Sequence, residues 1–208
     1  MSDKKRKGDA VQLAKEVVLV CAVVPLALLA WDLATGRAGA NPLEFATHTT
    51  GMLALIYCVL SLAVTPLRKL TGAPWVAPLR RMVGVLAFLY ASIHLVCYVW
   101  FDKGFDGVAV AEDVWNRPFV AVGMATWLAM VPLAVTSTDA MLKRLGGRAW
   151  RRLHRLNYAI GLGGALHFWM LVKADWRLPL AFAAVLALLL GYRVVAALRR
   201  ASPAVARN

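Results

Sequence analysis

Six stretches of the chain run without a single charged residue, and the charges cluster between them. The uncharged runs are Val17–Trp31, Phe45–Leu67, Met82–Phe101, Pro118–Thr138, Leu156–Val172 and Leu178–Tyr192. A helix rising 1.5 Å per residue needs about 20 residues to cross a hydrocarbon core about 30 Å thick. Lys15, Arg177 and Arg193, whose long stems can reach outward from hydrocarbon, lengthen the shorter runs toward that figure. The pattern predicts an all-α, polytopic membrane protein. Its six transmembrane helices fall over about 13–31, 44–65, 82–101, 118–137, 154–172 and 178–198, in one transmembrane domain spanning 1–208. The first run, interrupted at Pro25, is read as a retained helix rather than a cleaved signal.

Charge adds the orientation. Of 24 Lys and Arg, only Arg37, Lys103, Arg117, Lys173 and Arg177 fall in the first, third and fifth connections. The others lie in 4–15, 68–81, 143–155 and 193–207, so the positive-inside rule puts the N-terminus on the cytoplasmic face. The net charge of +13 therefore reports topology, and a nucleic-acid partner is not expected. The longest interval between apolar runs is too short for a nucleotide-binding domain, and neither a GxGxxG unit nor a P-loop is present. Any reductant must then come from another protein or from the lipid phase.

Chemistry is concentrated in four histidines. Cys21, Cys58 and Cys97 stand singly on three helices, without a CxxC spacing, and read as small apolar residues. Six of the tryptophans sit near the ends of apolar runs, as interfacial anchors do. The histidines differ, because an imidazole inside a bilayer is costly unless it pairs, carries protons or binds a metal. His94 stands 13 residues beyond Arg81 and His167 stands 12 beyond Arg155, on two helices entering from the same side. Both reach about 18–20 Å above the inner boundary at 1.5 Å per residue, where they can clamp one planar metal cofactor between them. A haem with two axial histidines is the expected occupant. His48 belongs to the same outer group, as a third candidate ligand or a hydrogen-bond partner. His154 lies near the inner face among Arg151, Arg152 and Arg155. A second haem there is compatible with it but lacks a partner histidine, since Arg81 stands at the matching depth; Arg151 and Arg152 can neutralise propionates. The acidic outer connection with Asp102, Asp106, Glu112 and Asp113 is a candidate docking surface.

A family resemblance enters on ordered motifs. These are Leu62-Ala63-Val64-Thr65-Pro66-Leu67-Arg68, Arg80-Arg81-Met82-Val83-Gly84 followed by Phe88, Tyr90 and His94, Asn116-Arg117-Pro118, Leu133-Ala134-Val135-Thr136-Ser137, and Leu145-Gly146 with Trp150, Leu153-His154-Arg155-Leu156 and Tyr158. Together they resemble the MsrQ (formerly YedZ) family of the ferric-reductase-like transmembrane group. The resemblance implies a haem-binding membrane subunit of a protein-methionine-sulfoxide reductase system in the bacterial inner membrane. It further implies haem b, one or two per chain, held by His94, His154 and His167, and FMN as a further cofactor, for whose phosphate Lys143, Arg144, Arg148, Arg151 and Arg152 are available. Electrons would come from a cytoplasmic flavin reductase or the quinone pool and pass to a periplasmic molybdenum subunit, MsrP, which repairs methionine sulfoxide in envelope proteins. A stand-alone ferric or quinone reductase cytochrome would carry the same histidines. A proton-conducting transporter would need intramembrane acids, and no Asp or Glu lies within the apolar runs.

Overall fold

The computed structural model describes residues 3–201, and among them every regular element is helical. The order is α1 (Asp3–Ala34), α2 (Pro42–Thr71), a 3-10 turn at Pro74–Val76, α3 (Leu79–Val96), α4 (Gly107–Asn116), α5 (Pro118–Val135), α6 (Asp139–Leu153), α7 (Leu156–Leu171) and α8 (Arg177–Ala201). A π-helical turn, Cys97–Asp102, continues α3. Five helical stretches are long and apolar enough to cross a membrane: 8–34, 42–71, 74–102, 118–135 and 177–199. α7 is free of Asp, Glu, Lys and Arg but has 16 residues, a length of about 24 Å. α1 passes through Pro25 as one helix.

Local chemistry sets the boundaries. Pro42 opens α2 where its missing N–H is no loss, and the Asn41 side chain accepts from the Glu44 amide at 3.1 Å. Gly72, at φ 65°, closes the same helix in the left-handed conformation that glycine adopts without strain. Asp106 caps α4 by accepting from the amides of Val108 and Ala109, and Thr138 caps α6 through Met141. α4 and α6 lie in connections that carry no apolar run, and the hydrophobic pattern did not predict them.

Packing centres on two helix pairs, α2 with α3 and α5 with α7, joined chiefly through α2–α7 and α3–α5 contacts. Between apolar helices in lipid there is little hydrophobic drive, so close packing and interhelical hydrogen bonds carry the association. The fully buried Tyr90 of α3 stacks on Tyr57 of α2 with ring centroids 5.4 Å apart, and its hydroxyl donates to Ala22 O of α1 at 2.5 Å. Asn157 of α7 donates to Ser61 of α2 at 2.9 Å, and Trp127 Nε1 of α5 donates to Ser92 of α3 at 3.0 Å. The Arg193 guanidinium of α8 donates to Leu62 O of α2 and lies 5.2 Å over the Tyr158 ring. Cys58 and Cys97 are buried and Cys21 is exposed; all three are free thiols. Large apolar side chains such as Leu13, Val20 and Leu28 of α1 and Leu188 of α8 face outward, as lipid-facing surfaces do.

Candidate functional site

Two chambers are stacked along the bundle. The larger, about 420 Å³, is enclosed by the N-terminal part of α2, the C-terminal part of α3, the N-terminal part of α5 and the C-terminal part of α7. The smaller, about 310 Å³, lies between the opposite ends of the same four helices. Met130 and Ile160 line both and form the partition.

His94 and His167 line the larger chamber from α3 and α7, with ring centroids 6.1 Å apart and planes inclined at 79°. The depth match read from the sequence thus corresponds to side chains that meet. Each ring is held by a helix other than its own. The Nδ1–H of His94 donates to Thr47 O of α2 at 2.9 Å, and that of His167 donates to Phe119 O of α5 at 2.7 Å. A carbonyl can only accept, so a proton sits on Nδ1, and in the neutral ring Nε2 is left with a bare lone pair. One turn beyond each carbonyl stands a glycine. A Cβ at Gly51 would fall 2.9 Å from His94 Nδ1, and one at Gly123 would fall 2.8 Å from His167 Nδ1. Each ring therefore brings its Nδ1 and Cε1 atoms close against bare helix backbone. Sequence reasoning missed these two glycines, because the signal for them is a contact between helices rather than a local motif.

His48 reaches the same chamber only at its rim. Its side chain is 58% exposed, and Nε2 lies 4.0 Å from Glu44 Oε1, a contact that carries charge only when the ring is protonated. At the same mouth Arg117 lines the chamber and its Nε lies 3.3 Å from Asp113 Oδ1. Asp113 also receives Lys103 Nζ at 2.7 Å and the Tyr98 hydroxyl at 3.0 Å. These partners hold the Asp113 carboxyl below the usual carboxylate range, Lys103 foremost, and in return raise the Lys103 ammonium. Asp113 is almost fully buried and so is withdrawn from the acidic surface of that connection, whereas Asp102, Asp106 and Glu112 are exposed. The cause is the pairing that four-residue helical spacing and the Lys103 loop make available. The candidate docking surface of that connection is thereby narrowed to Asp102, Asp106 and Glu112.

The smaller chamber contains His154, which stands at the C-terminal cap of α6 rather than within α7. Its ring stacks on Trp150 at 3.8 Å, and the Trp150 indole donates to Thr136 O at 2.8 Å. The Thr136 hydroxyl lies 2.6 Å from Pro132 O and 3.1 Å from His154 Nε2. With its proton committed to the carbonyl, it accepts from Nε2–H, the opposite tautomer to that of His94 and His167. Arg68, Arg80 and Arg81 line this chamber, and Arg81 is ion-paired to Asp139. Arg151 and Arg152 are exposed on α6 and line neither chamber.

Among the described residues no three His, Cys, Asp or Glu side chains gather to hold a metal ion. Two neighbouring imidazoles with uncommitted Nε2 atoms are a donor set for a metal whose remaining positions are filled by its own macrocycle. Comparison with known proteins points the same way. The ferric reductase like transmembrane component family matches residues 50–165. The chain is 45% identical to the protein-methionine-sulfoxide reductase heme-binding subunit MsrQ of Bordetella pertussis over 193 residues, covering 92% of this chain and 93% of that protein. The MsrQ proteins of Xanthomonas campestris pv. campestris and Ralstonia nicotianae are 45% and 46% identical, covering 91% and 85% of this chain and 89% and 82% of theirs. No solved structure matches the chain. On its identity to these proteins across nearly its whole length, the chain belongs to the MsrQ family of ferric-reductase-like transmembrane proteins.

Proposed function

We propose that the chain is a b-type haem membrane subunit that carries electrons across the bacterial inner membrane, with His94 and His167 as axial ligands. The observation that carries this reading is the facing pair of imidazoles, each with its Nδ1 proton committed to a backbone carbonyl and its Nε2 bare. Bound between α3 and α7, a haem would find in His94 and His167 two imidazoles whose rings stand 6.1 Å apart, and their Nε2 atoms would be its protein donors. A bound haem supplies one-electron redox chemistry. The protein's own part is to hold, orient and exclude water. Thr47 and Phe119 fix the tautomers, Leu55, Met124 and Phe168 keep the chamber apolar, and Arg117 places one cation at its mouth.

The smaller chamber is proposed as a second cofactor site. His154 is its ligand candidate, and Arg68, Arg80 and Arg81 are the cations that face any propionate or FMN phosphate entering there. In this structure His154 Nε2 is engaged with Thr136, so ligation through that atom requires breaking one hydrogen bond. Positive-inside charge supports a cytoplasmic N-terminus, with α7 completing six crossings of a single transmembrane domain. The family relationship supports the wider route: a cytoplasmic flavin reductase or the quinone pool as donor, and an MsrP-like periplasmic molybdenum subunit, acting on methionine sulfoxide, as acceptor.

The test is the dithionite-reduced absorption spectrum and haem content of the wild type and single variants. His94→Ala and His167→Ala each lose the haem of the larger chamber, and His48→Ala keeps it. Full occupancy in either of the first two would refute the ligand assignment. Reduction of ferric chelates or quinone by the purified chain without a partner would favour the stand-alone reductase reading instead.

A further inference from the structure

The two imidazoles are held by the same device, built twice. On α2 the carbonyl of Thr47 takes the His94 Nδ1 proton and Gly51, one turn later, leaves room for the ring. On α5 the carbonyl of Phe119 takes the His167 Nδ1 proton and Gly123, again one turn later, leaves room for that ring. The separations in sequence between carbonyl and histidine are 47 and 48 residues. From these coincidences we infer that Gly51 and Gly123 are positioning residues, which set the tautomer and donor strength of the two axial ligands from helices that carry neither ligand.

The physical argument rests on space and on hydrogen bonding. A methyl group at either glycine would approach ring atoms to 2.8–2.9 Å, closer than Cβ atoms stand to any neighbour, so the ring must move. The acceptor carbonyl is part of the same helical turn, and a ring lifted off the glycine lengthens or loses its Nδ1–H bond. A histidine that donates from Nδ1 is a stronger base at Nε2, and groups in this outer position are typically worth 10–100-fold in metal affinity. A stronger donor favours the higher oxidation state of the metal, so loosening either bond raises the reduction potential. By contrast, a Cβ at Gly191, within α8, would meet nothing within 4 Å.

The inference rests on His94 and His167 being the ligands, and the experiment separates the two claims. Gly51→Ala, Gly123→Ala and the control Gly191→Ala are compared with wild type in detergent for haem content, low-spin electron paramagnetic resonance g-values and midpoint potential. The expected result is a haem affinity reduced about 10–100-fold in Gly51→Ala and Gly123→Ala, with shifted g-values and a raised potential in whatever haem is retained. Gly191→Ala matches the wild type. Unchanged g-values and potential in both site variants, alongside haem loss in His94→Ala and His167→Ala, overturn the positioning role alone. Retained haem in the histidine variants overturns the ligand assignment beneath it. Should a glycine variant fail to fold, pulsed resonance on wild-type protein reads the remote nitrogens directly. Couplings of strongly hydrogen-bonded Nδ1–H groups are expected, and those of a free N–H refute the inference.

Discussion

At the scale of single residues, the contrast between Asp113 and Asp139 shows how burial decides what a charge contributes. Both carboxyls are held below the ordinary range by a cation, Lys103 for Asp113 and Arg81 for Asp139. The Asp139 side chain is 76% exposed, where solvent and salt screen such a pair to little effect. The Asp113 side chain is 12% exposed and meets Lys103, Arg117 and Tyr98 together. A depressed carboxyl contributes stability above its unfolded pKa of about 4 and loses it as pH falls toward its folded value. Wild-type protein in detergent should therefore lose thermal stability as pH drops below about 4. Asp113→Asn should start less stable at pH 7 and show a shallower acid limb. Parallel acid limbs in the two proteins would mean that the cluster does not hold the loop. Residue identity in the sequence told enough to single out His94 and His167, because depth along two parallel helices is a matter of counting. It told less about Asp113, whose role depends on which side chains fold over it, and nothing of the carbonyls that orient the rings.

At the scale of elements, α2, α3, α5 and α8 were legible because each crossing is a run of apolar residues flanked by charge. α4 and α6 were not, because their helicity comes from caps and packing in segments of mixed polarity. α6 shows the cost of that gap. Its chain bends at Gly146, whose φ of 73° and ψ of 148° lie where only glycine rests comfortably, and the half beyond the bend carries Trp150 and ends at His154. Placing His154 at the start of the following helix missed the bend that sets its direction, and Arg68, Arg80 and Arg81 rather than Arg151 and Arg152 line the chamber beside it. Gly146→Ala should cost about 1–3 kcal/mol of local strain. Hydrogen exchange across 147–154 should quicken while the haem signal of the larger chamber stays as in wild type. Wild-type exchange there would show that the bend tolerates a side chain.

At the scale of the whole molecule, the larger chamber takes one histidine from each of two helix pairs, α2 with α3 and α5 with α7. Each pair holds one imidazole and the carbonyl that orients it, so each is a complete half-site. Neither half can grip a metal from both sides. The spectrum of a doubly ligated haem therefore reports the meeting of the halves, as a split reporter does. A gene cut between Gly104 and Phe105 would yield two pieces, each mute alone in the α-band of a reduced low-spin haem, and together able to restore it. Recovery of that band on co-expression, and its absence from either piece by itself, would make haem acquisition a colorimetric readout of membrane-protein assembly. A full signal from one piece alone would show that the second half is dispensable for ligation.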